Sequence, residues 1–125
     1  MSLKTVIIDD SSIQLLATSF LVQNHPKLGL IGAYSNPFEG IQAVYEQKAD
    51  LLLLDVLIDE TNAFELLDAI EIPCTILINS TWERYLDQAK AYGIDHFLMK
   101  PIRKQVFVET IDAIAETLRI PEMVV

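Results

Sequence analysis

With 125 residues, 51% of them apolar, the chain has material for one hydrophobic core and too little for two domains. Its formal charge of −9, from 18 acids against 9 Lys and Arg, speaks against direct nucleic-acid binding, which needs clustered cations, and no apolar run approaches the roughly 18 residues of a membrane span. A single cysteine, Cys74, excludes an internal disulfide and a cysteine-based metal cluster, and Met1-Ser2-Leu3-Lys4 has no signal-peptide core, so the expectation is a cytoplasmic protein.

Taken in order, Lys4 to Ile8 is β-rich and stops at Asp9-Asp10-Ser11-Ser12, a cluster suited to capping a helix whose apolar stripe is Ile13, Leu16, Ala17 and Phe20. After the break at His25-Pro26-Lys27, Leu28 to Tyr34 reads as a second strand. Asn36-Pro37 is a strong helix start, followed by Phe38, Ile41, Val44 and Tyr45 on one face. Leu51-Leu52-Leu53-Leu54, bounded by Asp50 and Asp55, is too short for a globular helix and suits a strand buried on both sides. A loop from Asp55 to Asn62 leads to a helix over about 63–71 with Phe64, Leu67 and Ile70 inward. Thr75 to Ile78 is a fourth strand, and Asn79-Ser80-Thr81 caps a helix that ends at Tyr92 with Gly93 as its C′ residue. His96 to Met99 is a short fifth strand that ends at Lys100-Pro101, and a final helix over about 104–118 aligns Phe107, Ile111, Ile114 and Leu118.

Five strand–helix units joined by right-handed crossovers predict one α/β domain, a doubly wound five-stranded parallel sheet with helices on both faces. All carboxyl ends of such a sheet share one edge, so Asp9, Asp10, Asp55, Asn79, Ser80 and Lys100 become neighbours. Three adjoining carboxylates repel one another unless a cation is present; a hard divalent ion suits them, Mg²⁺ above all, or Mn²⁺. Lys100 adds a mobile positive charge able to pair with a carboxylate or with a phosphoryl group.

With this set of residues the chain resembles a bacterial two-component response-regulator receiver domain of the chemotaxis-regulator type, over about residues 4–119. The matching features are Asp9-Asp10 after the first strand, Asp55 after the third, Lys100-Pro101 after the fifth, and Phe97 three residues before the lysine. The resemblance implies a flavodoxin-like strand order 2-1-3-4-5 and a phosphoacceptor at Asp55, charged by a sensor histidine kinase, a phosphotransfer protein or a small phosphodonor. It implies a Mg²⁺ site made of Asp9, Asp10, Asp55 and the backbone carbonyl of Leu57. It further implies that a group after the fourth strand and Lys100 bind the phosphoryl oxygens while Phe97 repacks, and that the output surface is helix four, strand five and helix five. That surface would serve an output domain or a homodimer, with no nucleic-acid or membrane contact by this chain. Residues 120–125 are then a tail or the start of a linker.

Three positions depart from the family's pattern. Counting without gaps from Pro73 or back from Gly93 puts Ile78 where a Thr or Ser is usual; a shift of one gives Asn79 and of two gives Ser80, and the end of the apolar run favours Asn79 with Ser80 beside it. Asp59 replaces a common proline and Ala63 a common glycine, and Asp59-Glu60 adds negative charge expected to tighten Mg²⁺ binding and to slow anionic donors. These departures motivate a second reading, a pseudo-receiver that binds proteins without being phosphorylated. A third, a Mg²⁺-dependent phosphohydrolase, is disfavoured because that class uses Asp-x-Asp after its first strand, whereas Asp9 and Asp10 are adjacent. The charge is also uneven: acids outnumber Lys and Arg 12 to 3 through Glu83 and match them at 6 each from Arg84 onward, which suits an ion-pairing output face in the second part.

Overall fold

A computed structural model describes residues 2–58 and 60–118 of the chain; Asp59 and the segment 119–125 lie outside the described residues. Five parallel strands, β1 (Leu3–Ile8), β2 (Leu28–Tyr34), β3 (Leu51–Asp55), β4 (Thr75–Ser80) and β5 (His96–Met99), form one sheet in the order 2-1-3-4-5. Between them run α1 (Ser12–Gln23), α2 (Pro37–Gln47), α3 (Ala63–Ala69) and α4 (Tyr85–Ala91), and α5 (Lys104–Thr117) follows β5. The expected doubly wound architecture is the observed one.

The sheet separates two cores, and the four leucines of β3 divide between them because successive side chains of a strand point to opposite faces. Leu52 and Leu54 join Val6, Ile8 and Ile78 beneath α2, α3 and α4, while Leu51 and Leu53 join Ile7, Leu77 and Leu98 beneath α1 and α5. All four are fully buried, each worth about 1.5–3 kcal/mol relative to exposure. This is why an unbroken apolar run, rather than an alternating one, is required at the centre of the sheet.

The helix starts follow local chemistry. Ser11 Oγ accepts from the Gln14 amide to open α1, Asn36 accepts from Phe38 and Glu39 with Pro37 in the first turn of α2, and Asn62 accepts from Glu65 to open α3. The loop before α3 holds a short antiparallel pairing of Leu57–Ile58 with Thr61–Asn62 that no periodicity signalled. The α4 cap differs from expectation. Asn79 and Ser80 belong to β4, because the Asn79 carbonyl accepts from Val56 and the Ser80 carbonyl from Lys100, and the helix begins only at Tyr85. Gly93 does end α4, at φ 77°, with its N–H on the Lys90 carbonyl.

Two expected faces are corrected. In α1, Ile13, Leu16 and Phe20 point to solvent, and Thr18 and Val22 are the buried residues instead. The helix carries apolar residues on two sides and no charge to mark an outer one, so spacing alone does not orient it. In α2, Ile41 and Val44 are buried as expected whereas Phe38 and Tyr45 are exposed, the Tyr45 hydroxyl donating to the Glu71 carbonyl. In α5, where charges mark the outer side, Phe107, Ile111 and Ile114 are buried and Leu118 is more exposed. His25, in the turn before β2, is buried against Phe107; its Nε2 lies 3.3 Å from Asp112, which also pairs with Lys27.

Candidate functional site

The strand register builds the site. Ile7 pairs with Leu53 and Leu53 with Leu77 on the α1/α5 face, so two residues further along, Asp9, Asp55 and Asn79 follow on that same face at the carboxyl edge. Asp55 is the last residue of β3 and pairs directly with Asn79. Lys100 follows β5 with the parity of Leu98 and returns to the same row. Phe97 has the opposite parity: it pairs with Ile78 and packs, half-buried, against the core under α2, α3 and α4.

Within this row the Lys100 ammonium lies 2.6 Å from Asp9 and 3.1 Å from Asp55, with all three side chains nearly withdrawn from water. The ligand oxygens of Asp9, Asp10 and Asp55 lie within 4.8 Å of one another, Asp10 on the exposed side. Burial holds the Asp55 carboxyl up at about 6; the neighbouring Asp9 and Asp10 charges push the same way, and Lys100 pulls against them. Asp9 is further held by the Ser11 amide, which donates to its Oδ1 at 3.0 Å. The arrangement therefore stores negative charge that one lysine only partly offsets, and it presents oxygen donors of the kind a hard divalent cation takes.

Other predicted residues fall around this centre in different ways. Leu57 is two residues beyond Asp55, in the short antiparallel pairing, with its side chain half exposed. Asn79 is buried, and its Oδ1 has no hydrogen-bond partner, a costly state in a dry site. Ser80 is also buried, but it has the parity of Ile78 and its Oγ accepts from the Trp82 amide, so its hydroxyl tightens the turn after β4 rather than joining the row. Ile78, the ungapped alternative, lies wholly in the core.

A family model described as the response regulator receiver domain matches residues 5–112. The chain belongs to that family. Among the receiver's relatives, the transcriptional regulatory protein CitT of Bacillus subtilis is 34% identical over 83 residues, 62% of this chain and 37% of that protein. The sensory transduction protein LytT of Enterococcus faecalis is 22% identical over 110 residues, 86% of this chain and 46% of that protein. The receiver thus spans less than half the length of either. The REC domain of AraT, a response regulator from Geobacillus stearothermophilus, superimposes with a TM-score of 0.80 at 18% identity, covering 94% of this chain and 96% of that one. The response regulator domain of Thermotoga maritima CheB gives 0.77 at 21% identity, covering 93% and 96%. Among the described residues of this receiver, no helix is long and apolar enough to cross a membrane.

The remaining feature near the edge is an aromatic turn that sequence reasoning did not assign. The Arg84 guanidinium stands 5.0 Å from the centre of the Trp82 ring and 5.2 Å from that of Tyr85, closing the segment between β4 and α4. Spacing alone could not find it, because the three side chains meet only once α4 is shortened to Tyr85–Ala91.

Proposed function

We propose that this receiver is the phosphoacceptor of a two-component system, with Asp55 taking a phosphoryl group from a phosphohistidine on a sensor histidine kinase or phosphotransfer protein, or from a small phosphodonor. The observation that carries the reading is the buried Lys100 ammonium shared between Asp9 and Asp55 beside a third carboxylate. In the transfer an Asp55 oxygen bonds to phosphorus while the bond from phosphorus to the donor breaks, P–N in a phosphohistidine or P–O in an acyl phosphate, and its electron pair leaves with the imidazole or the carboxylate.

Asp9, Asp10, Asp55 and the Leu57 carbonyl are the groups that would hold Mg²⁺ or Mn²⁺. When bound, the ion supplies positive charge that keeps the carboxylates ionised and offsets the charge of an incoming phosphoryl group. Lys100, released from Asp55, pairs with a phosphoryl oxygen, and the Asn79 amide, turned to present its NH₂, donates to another. Ser80 holds the turn that carries Trp82, and Phe97 couples the edge to α4, β5 and α5, the surface for an output domain. The chain itself does no chemistry on other substrates and acts in the cytoplasm.

The experiment is incubation with acetyl phosphate and Mg²⁺ followed by intact mass. A gain of one phosphoryl group that needs Mg²⁺ and vanishes in Asp55→Asn is the expected result. No gain in a folded protein would favour the second reading, a phosphorylation-independent pseudo-receiver that binds proteins. The feature on its side is an amide with an unpaired buried oxygen where the family carries a hydroxyl.

A further inference from the structure

Helix α4 is fastened to the molecule chiefly through one ring of α3. Phe64, 3% exposed, has its ring centre 6.0 Å from that of Tyr85 and 5.3 Å from that of Tyr92. Tyr85 and Tyr92 stand at i and i+7 of α4 and its C-cap, on one face. Phe64 and Asp68 stand at i and i+4 of α3, and Asp68 accepts from the Tyr92 hydroxyl at 2.8 Å. Other anchors are few: α4 spans seven residues, Ala89 alone among them is buried, and no side chain caps its start. The helix therefore sits where α3 places it.

The start of α3 is in turn tied to the acidic edge. The Val56 carbonyl, one residue past Asp55, accepts from the Ala63 amide at 2.7 Å, and both residues are wholly buried. Leu57 pairs with Asn62 across the short antiparallel turn, and the Asn62 side chain caps α3 by accepting from the Glu65 amide at 3.0 Å. Phe64 lies in the first turn that this cap opens.

We infer that Phe64 is a positioning residue that carries displacements of the Asp55–Leu57 backbone through the first turn of α3 to Tyr85 and Tyr92, and so to α4. The step is mechanical: a buried ring packed on two sides cannot shift without its neighbours, because close-packed interiors transmit strain. A cation that takes the Leu57 carbonyl and a phosphoryl group on Asp55 both act on that stretch of backbone. The link gives the proposed phosphoacceptor an output and rests on that reading. It is separate from Phe97, which packs onto the same core from β5.

Amide hydrogen exchange over 85–91, followed by NMR and referred to the amides of α2, tests the link in four chains: the parent, Asp55→Asn, Phe64→Leu and the double variant. Asp55→Asn should change α4 exchange by about threefold or more in the parent background and by less than about 1.5-fold in the Phe64→Leu background. A general loss of stability moves α2 as well and cancels. Phe64→Leu should keep its circular dichroism and its acetyl-phosphate reaction, and Tyr85→Leu/Tyr92→Leu, at partly exposed positions, uncouples α4 with Phe64 left in place. An effect of Asp55→Asn on α4 that is absent from the parent background, or that survives both uncoupling variants, overturns the inference. Mg²⁺ with beryllofluoride, a phosphoryl mimic, separates the link from the reading it serves. Amides of 9–11 and 55–57 that move while those of α4 do not overturn the inference. A positive four-chain result in a protein whose edge takes no beryllofluoride supports the link and overturns the phosphoacceptor reading instead.

Discussion

Two regions of this receiver invert the usual partition of side chains. At the carboxyl edge, Asp9, Asp55 and Lys100 are charged and buried; on α1, Ile13, Leu16 and Phe20 are apolar and exposed. The two inversions differ in what they cost. The edge is costly in every solution that lacks a counter-ion, because dehydrated carboxylates and a single lysine never fully compensate. The α1 ridge costs the folded monomer almost nothing, since those side chains are wet in the unfolded chain too, and what it lowers is solubility. Buried charge is thus strain within the molecule, while exposed apolar surface is an affinity that waits outside it.

The largest effect should come from breaking the edge by halves. Lys100→Met leaves two facing carboxylates without their cation, and chemical denaturation at pH 8 should show a loss of about 3 kcal/mol. At pH 5 the loss should be smaller, because Asp55 then takes up a proton. Removing the strained charge itself should do the opposite. The Asp55 carboxyl sits at about 6 in the folded chain against an ordinary 3.8, so the folded state holds its proton more tightly and this group's contribution falls as pH rises from about 4 to 6. Asp55→Asn should therefore match the parent near pH 4 and exceed it by about 1–3 kcal/mol above pH 6.5, several degrees in melting temperature. By the same titration, Mg²⁺ binding followed by calorimetry should weaken as pH falls below 6.

On the ridge, Leu16→Ser and Phe20→Ser should each leave dilute-solution stability within about 0.5 kcal/mol of the parent. Ile111→Ala, in the core beneath the same sheet face, should cost about 2–5 kcal/mol by the same assay. A smaller signal separates burial that prepares chemistry from burial that only silences it. Cys74 is partly buried, and burial first, then Asp50, pushes its thiol up to about 11. At pH 8 roughly one molecule in a thousand carries the thiolate, so Ellman's reagent should label the folded chain far more slowly than the denatured one.

The fold was legible because each strand end is punctuated. Asp9-Asp10, His25-Pro26, Asn36-Pro37, Pro73 and Gly93 are chemically obliged to break or cap, and the apolar runs between them have strand lengths. The α1 orientation was not legible, since polarity contrast orients a helix and Ser12–Gln23 has no charge on any side; α5, with Lys104, Glu109, Asp112 and Glu116, gives that contrast and was read correctly up to Leu118. Near the site, the meeting of Asp9, Asp10, Asp55 and Lys100 could be anticipated from topology alone. The position after β4 was less accessible: Ile78, Asn79 and Ser80 compete by counting, and only the pairing of Asn79 with Asp55 separates them. Ser80 looked like part of a helix cap because its preference for capping is real, but the cap it makes is a turn to Trp82.

That turn has an optical consequence. Trp82 is the chain's only indole, it is half exposed, its amide is tied to a side chain at the carboxyl end of β4, and a guanidinium lies over its ring. Its emission is therefore a built-in, label-free gauge of the segment joining the acidic edge to α4, read without interference from any second fluorophore of its kind.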